Sequence, residues 1–297
     1  MIGVGSVGSC IAYEIANRGL VDELVLVDIY KELAEGNAAD ISQALAFRRD
    51  VKVTAGDFKD AKGSEVIVVT AGKPRTPKMK SRTELLEANK KIIGIVGSNL
   101  KKIGADAVIV TLTNPVDTMN YVMWKTTGLD RRLVLGSAGM LDSARFRTVL
   151  SRKLHAPVSD VEAYVMGEHG DNQVPVFSRA SVRGEETAFD KDERTEIIHL
   201  LRQSALEVIS KKGATVFAPA NNTANVIQSV LRDEKRTAVC SAVLDGEYGV
   251  TDLSVGVPVT LGRNGIESIL QWELDEEEKR AFHRGTDHLK DILRALF

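Results

Sequence analysis

Three glycines, in Gly3-Val4-Gly5-Ser6-Val7-Gly8, constrain the fold of this chain more than any other stretch. The spacing G-x-G-x-x-G suits a tight turn at Gly3, close approach of a pyrophosphate to bare backbone at Gly5, and close packing of a helix on a strand at Gly8. The helix N-terminus then faces the phosphates. The surroundings agree, because residues 9–18 read as a helix and residues 23–28 as a buried strand ending in Asp28, 20 residues after Gly8. A carboxylate at that strand end can accept both ribose hydroxyls of NAD and would repel a 2′-phosphate, so Asp28 predicts NAD in preference to NADP. One requirement is unmet: a dinucleotide fold needs a strand before its first glycine, and only Met1 and Ile2 precede Gly3. Losing that central strand would leave its neighbours' hydrogen-bonding groups unpaired. The expectation is therefore a natural chain starting several residues earlier, with a strand reduced to a stub as the alternative.

The pattern downstream is that of an α/β protein. Residues 31–47 read as a polar helix, and 51–55, 65–71, 107–112 and 132–136 as strands. Their apolar parts lack polar alternation, as expected of parallel strands covered on both faces. A long helix over 83–103, with Thr83 as a plausible N-cap, separates the third strand from the fourth. This alternation predicts a doubly wound parallel (Rossmann) sheet over 1–140, its first strand apparently truncated. The texture then changes. Helices are expected at 141–154, 192–210 and 222–231, strands at 161–166, 238–244 and 250–257, and a closing amphipathic helix at 275–296. Clustered antiparallel strands flanked by helices predict an α+β substrate domain over 141–297.

Composition narrows the partners. The 39 basic and 41 acidic residues leave a net charge of −2, so no global field draws in nucleic acid or an anionic membrane. A small anionic substrate, held locally, is compatible. The absence of a long apolar run or a signal-like N-terminus predicts a soluble, cytoplasmic protein. Cys10 and Cys240 form neither a ligand pattern nor a disulfide framework; both read as small buried apolar residues, and no metal is expected.

Candidate chemistry centres on Val165-Met166-Gly167-Glu168-His169-Gly170-Asp171-Asn172, where one imidazole lies between two glycines after an apolar run. A lone loop histidine is more often a surface or capping residue, so His169 as acid/base depends on what else the chain brings to it. Asp142 and Arg145, three apart on a helix, project from nearly the same face; an ordinary ion pair there is worth only about 0.2–0.5 kcal/mol. Asn114 ends the 107–112 strand, and Pro115 holds it out of helical geometry, which leaves its amide able to face a ligand. The loop from Lys73 to Arg82 carries five cations and no carboxylate at the carboxyl end of a parallel strand, where open α/β sheets bind ligands. It is a candidate anion site.

Taken in order, the segments 3–8, 27–28, 113–117 (Thr-Asn-Pro-Val-Asp), 141–145 (Leu-Asp-Ser-Ala-Arg) and 167–171 (Gly-Glu-His-Gly-Asp) resemble the NAD-dependent lactate/malate dehydrogenase family. With 212–217 (Lys-Gly-Ala-Thr-Val-Phe), they are most similar to its archaeal, lactate-dehydrogenase-like malate dehydrogenases. The resemblance implies that His169 is the catalytic histidine, Asp142 its orienting carboxylate and Arg145 the ligand of the substrate C1 carboxylate. It further implies that Arg82 polarises the reacting carbonyl and that the Asn114 amide lies between substrate and nicotinamide. Cofactor contacts are expected at Gly3, Gly5, Ser6, Val7, Gly8, Asp28, Thr70, Ala71, Gly72, Asn89 and Asn114, and a further substrate contact at Thr215. Arg75-Thr76-Pro77 matches the R-x-P of the family's malate enzymes, in which Arg meets the second carboxylate where lactate enzymes carry Gln. Lys78 replaces the usual Gly, and Arg75 to Arg82 spans seven residues instead of six. Aligned from Arg82 backward, Thr76 takes the specificity position and Lys78 or Lys80 supplies the charge. Either register leaves a cationic pocket suited to a dicarboxylate. The implied activity is L-malate dehydrogenase of the tricarboxylic acid cycle, with L-lactate dehydrogenase as the alternative and a non-catalytic NAD-sensing module far behind. A homo-oligomer, a tetramer before a dimer, is implied by the same resemblance.

Overall fold

The computed structural model describes residues 1–74 and 82–297, with Arg82 and Thr83 described by backbone alone. The first half alternates strand and helix: α1 (Ser6–Asn17), β1 (Glu23–Leu26), α2 (Lys31–Leu45), β2 (Lys52–Ala55), β3 (Val66–Val69), α3 (Arg82–Lys102), β4 (Val108–Thr111), α4 (Val116–Thr127) and β5 (Val134–Gly136). Neighbours pair in parallel, β2 with β1 and β3 with β4 with β5. The gap between β1 and β3 is closed by a stub. Ile2 bridges Val27 on one side and Val69 on the other, both in parallel, and its amide donates to Val68 while Thr70 and Ala71 donate to its carbonyl. Two residues thus fill the central position, giving the strand order of a dinucleotide-binding sheet.

Helix α4 was not legible in the sequence. It starts at Pro115, a residue compatible with a helix start, and ends at Gly128, whose φ of 71° supplies the left-handed terminus. Nine of its residues are buried, so it has no polar face wide enough to produce a clear helical period.

The second half begins with α5 (Gly139–Lys153) and continues through β6 (Val161–Glu162), β7 (Val165–Gly167), β8 (Gln173–Pro175), β9 (Ser181–Val182), β10 (Glu185–Glu186), α6 (Lys191–Lys212), α7 (Phe217–Leu231), β11 (Arg236–Asp245), β12 (Thr251–Gly262), β13 (Gly265–Ile269) and α8 (Glu276–Leu296). The expected strand over 161–166 is in fact two short strands in different sheets. β6 joins β9 and β10, whereas β7 joins β12. The long β11–β12 hairpin is not a separate layer: β11 pairs antiparallel with β5 through Ser241 and Gly136, and β12 with β7 through Gly256 and Gly167. The parallel sheet therefore runs on into the antiparallel one. Packing by α4, α5 and α7 buries residues 238–244 and 253–259 without alternation. Of the two cysteines, Cys240 is buried in this core, whereas Cys10 on α1 is only half-buried, a correction to the expected burial of both.

Candidate active site

At the glycine loop each glycine meets a different constraint. Gly3 has a φ of +89°, and a Cβ on it would lie 2.5 Å from the Ala71 nitrogen; one on Gly8 would lie 2.1 Å from the Gly3 carbonyl oxygen. Both are closed to any side chain. Gly5 is the opposite case, with nothing within 4 Å of an added Cβ. It is also the N-cap of α1 and makes no side-chain capping bond, and Ser6 beside it is exposed. An open cradle against uncapped helical N–H groups is what a pyrophosphate requires, so the residues present fit a dinucleotide. Val7 is half-buried behind it.

The loop is braced from two strand ends. Asp28 accepts from the Val4 amide at 2.8 Å and from the Tyr30 amide at 3.0 Å, which fixes its carboxylate beside the cradle. Thr70 donates its hydroxyl to the Gly3 carbonyl at 2.8 Å, and Thr113 donates to the Ala71 carbonyl at 2.7 Å. The Thr113 methyl would lie 2.5 Å from a Cβ on Gly72. Asn89, expected at the cofactor, is 1% exposed, and its amide bonds to the two loops that flank it. It accepts from the Lys73 amide at 2.7 Å and donates to the Asn114 carbonyl at 2.7 Å, so it clamps the loops after β3 and β4 together. That leaves the exposed Asn114 side chain at the mouth of the sheet, just before the cis Asn114–Pro115 peptide.

His169 lies just beyond β7. A φ of +84° at Gly167 turns the chain out of the strand. The imidazole Nδ1 is 2.6 Å from Asp142 Oδ2, and Arg145 Nη1 donates to Asp142 Oδ1 at 3.0 Å. Asp142 and Arg145 therefore do form the intrahelical pair, and the same carboxylate also takes the histidine. Since an ionised carboxylate only accepts, Nδ1 carries the proton and Nε2 faces outward. Helix α5 is keyed to the strands that deliver His169: the Ser143 hydroxyl accepts from the Val165 amide at 2.9 Å, and Arg147 donates to the Val161 carbonyl at 2.6 Å. Burial by itself would lower the proton affinity of the ring. The charge and hydrogen bond of Asp142, with the charge of Asp117, outweigh burial and the opposing Arg145, and hold the His169 pKa above its ordinary value. The side chain is 22% exposed, enough for a reacting group to reach it.

Two contributors were missed in the sequence. Asp117, 2% exposed at the start of α4, accepts from the His169 amide at 2.8 Å and from the Ser241 hydroxyl at 2.6 Å. Asp117 belongs to the Thr-Asn-Pro-Val-Asp segment but carried no signal of its own, and Ser241 is hidden in an apolar strand. Thr215 sits half-buried in the connection between α6 and α7. Arg75, Thr76, Lys78 and Lys80 lie outside the described residues, and Arg82 is described only as the first residue of α3. Among the described residues no group of His, Cys, Asp and Glu could hold a metal, and no helix is long and apolar enough to cross a membrane.

Residues 1–136 match the family model for the lactate/malate dehydrogenase NAD binding domain, and residues 139–297 the model for the lactate/malate dehydrogenase alpha/beta C-terminal domain. The chain is 44% identical to a malate dehydrogenase of Halobacterium salinarum over 96% of this chain and 94% of that protein. It is 37% identical to an L-lactate dehydrogenase of Bacillus velezensis over 100% of this chain and 96% of that one. Among solved structures, a minor L-lactate dehydrogenase from Enterococcus mundtii in a ligands-bound form superimposes with a TM-score of 0.95 at 31% identity, covering 100% of this chain and 97% of the other.

Proposed function

Because the chain belongs to the lactate/malate dehydrogenase family and is an NAD-dependent oxidoreductase of CH–OH groups, we propose that it interconverts L-malate and oxaloacetate. The observation that carries the chemistry is the Arg145–Asp142–His169 chain at 3.0 and 2.6 Å. Asp142 holds the ring with Nε2 outward and stabilises the imidazolium, so His169 can give a proton to the developing alkoxide during reduction and take it back during oxidation. When bound, NADH supplies the hydride that C2 of the keto acid accepts. The described hydrogen bonds of Arg145 use only Nη1, and the rest of its planar fork suits the C1 carboxylate. Arg82 polarises the carbonyl in this reading, Asn114 orients the substrate against the nicotinamide, and Thr215 lines the far wall. Gly3, Gly5, Ser6, Val7, Gly8, Thr70, Ala71 and Gly72 form the cofactor cradle, with Asp28 selecting NAD over NADP.

The raised His169 pKa fixes the direction of the pH dependence. Reduction needs the imidazolium and persists to higher pH than a free imidazole would allow, falling as pH rises through the folded value; oxidation rises over the same window. The same shift stabilises the fold fully below the unfolded pKa, and that contribution is lost as pH rises through the folded one.

For the substrate, Arg75 and the malate dehydrogenase of Halobacterium salinarum favour the dicarboxylate. The comparison of kcat/KM for oxaloacetate and pyruvate tests it, with oxaloacetate expected to lead. Arg75→Gln should lower oxaloacetate turnover roughly 10- to 100-fold, the worth of a charge-assisted hydrogen bond, and leave pyruvate turnover nearly unchanged. Equal losses would remove Arg75 as the discriminator. We also assign the cofactor to residues 1–140 and substrate catalysis to 141–297, in a cytoplasmic homo-oligomer, a tetramer by preference, serving the tricarboxylic acid cycle.

A further inference from the structure

We propose that Asp117 is a positioning residue for His169: its buried carboxylate holds the His169 backbone amide and adds a second negative charge, beside that of Asp142, that favours the imidazolium. This rests on the reading of His169 as the acid/base.

Holding the loop does not by itself require a charge. An asparagine at 117 could make the same two bonds, its carbonyl accepting from the His169 amide and its NH2 donating to Ser241 Oγ. A carboxylate at 2% exposure costs more to bury than an amide, so its presence calls for a beneficiary. The charged groups around it are few. From the His169 loop come Glu168 and His169; from β11 comes the Ser241 hydroxyl; from α5, Asp142 and Arg145 act on the same ring. Glu168 is a like charge, itself turned toward Asn172 and, from α8, His288 at 3.7 Å. The ring of His169 is the group whose charged form Asp117 stabilises.

The placement supports the ionised state. Asp117 lies in the first turn of α4, where the helix dipole favours an anion. Burial nevertheless pushes its carboxyl up to about 6, opposed by the Ser241 hydroxyl, the His169 amide and the His169 charge. It is therefore charged at neutral pH and loses that charge in mild acid. The strand below is locked: Asn120 donates to the Ser241 carbonyl at 3.1 Å and to Ser254 Oγ at 3.0 Å. The anchor thus ties α4, which follows Asn114, to β11 and to the catalytic loop, three pieces more than 50 residues apart in sequence.

The test is a titration of the His169 ring by NMR in the enzyme without cofactor, its signal identified by comparison with His169→Ala. Asp117→Asn keeps the geometry and removes the charge, and should lower the His169 pKa by roughly half a unit or more. The alkaline limb of oxaloacetate reduction should move down with it. A merely structural Asp117 would leave the ring pKa within about 0.1 unit of wild type, and that result would overturn the proposal. If Asp117→Asn yields no folded protein, Ser241→Ala decides. It leaves the His169 amide bond in place but withdraws the hydroxyl that stabilises the carboxylate, so a smaller shift in the same direction supports the proposal and none refutes it. Wild-type protein with no oxaloacetate turnover would count against the functional reading alone, because the ring titration needs no catalysis.

Discussion

The cofactor cradle and the His169 cluster lie at the same carboxyl-end mouth of the sheet, yet they are built from opposite materials. The cradle uses backbone: three glycines within six residues, an uncapped helix start, and side chains such as Asp28, Thr70 and Asn89 that brace loops by bonding to main-chain atoms. The cluster uses side chains from four elements, Asp117 on α4, Asp142 and Arg145 on α5, His169 after β7 and Ser241 on β11. Backbone recognition fits a phosphate, whose charge and shape are constant, and tolerates almost no change where two backbone segments touch. Side-chain recognition fits a proton transfer, because a pKa is tuned by charges from any direction.

The sharpest way to break this contrast is at the histidine. His169→Ala should cost about 10³-fold or more in kcat while NADH affinity, measured by fluorescence titration, stays within a few-fold of wild type. A parallel loss of NADH binding would mean that the two regions are one unit. Next in size is Gly8→Ala. Its Cβ would press to 2.1 Å on the Gly3 carbonyl, and the resulting shift of α1 should weaken NADH binding by tens-fold, in line with about 1–3 kcal/mol for overpacking. The raised pKa of His169 should survive that change, and a pH profile that moved with it would refute separate construction. The smallest effect is expected at Asp28→Ala, where the ratio of NADH to NADPH kcat/KM should fall about tenfold, as one lost charged hydrogen bond allows. An unchanged ratio would place ribose discrimination elsewhere.

How much could be read in advance follows from the same contrast. Gly3, Gly5 and Gly8 were assigned distinct duties from spacing alone; the Cβ positions of Gly3 and Gly8 are as crowded as a tight turn and close packing require, and that of Gly5 is open. The Asp142–Arg145 pair was visible as a helical spacing, but spacing alone did not give its meaning, since an exposed ion pair and a carboxylate that orients a histidine have the same sequence signature; only the ordered motifs pointed to His169. Helix α4 escaped because burial on all sides removes the amphipathic period, and with it Asp117 escaped too. Asn89 was expected at the cofactor, and the part its buried amide plays in clamping the loops after β3 and β4 carried no sequence signal. The first strand posed the reverse problem. Its shortness suggested a missing segment; in the structure Met1 and Ile2 occupy the central position, with Ile2 bridging Val27 on one side and Val69 on the other.

The sequence by itself determined the alternation of strand and helix, the dinucleotide cradle and the family, because each is written in local spacing or in ordered motifs. Only the tertiary structure decided that Asp117 joins Asp142 at His169, what the Asn89 amide bonds to, and that the parallel and antiparallel strands form one sheet. The physical reason is range. Glycine geometry and helical period act over a few residues, whereas Ser241 and Asp117 are 124 apart in sequence and meet at 2.6 Å. A contact of that kind exists only after β5 and β11 have paired and the burial of their neighbours has fixed where each side chain can point.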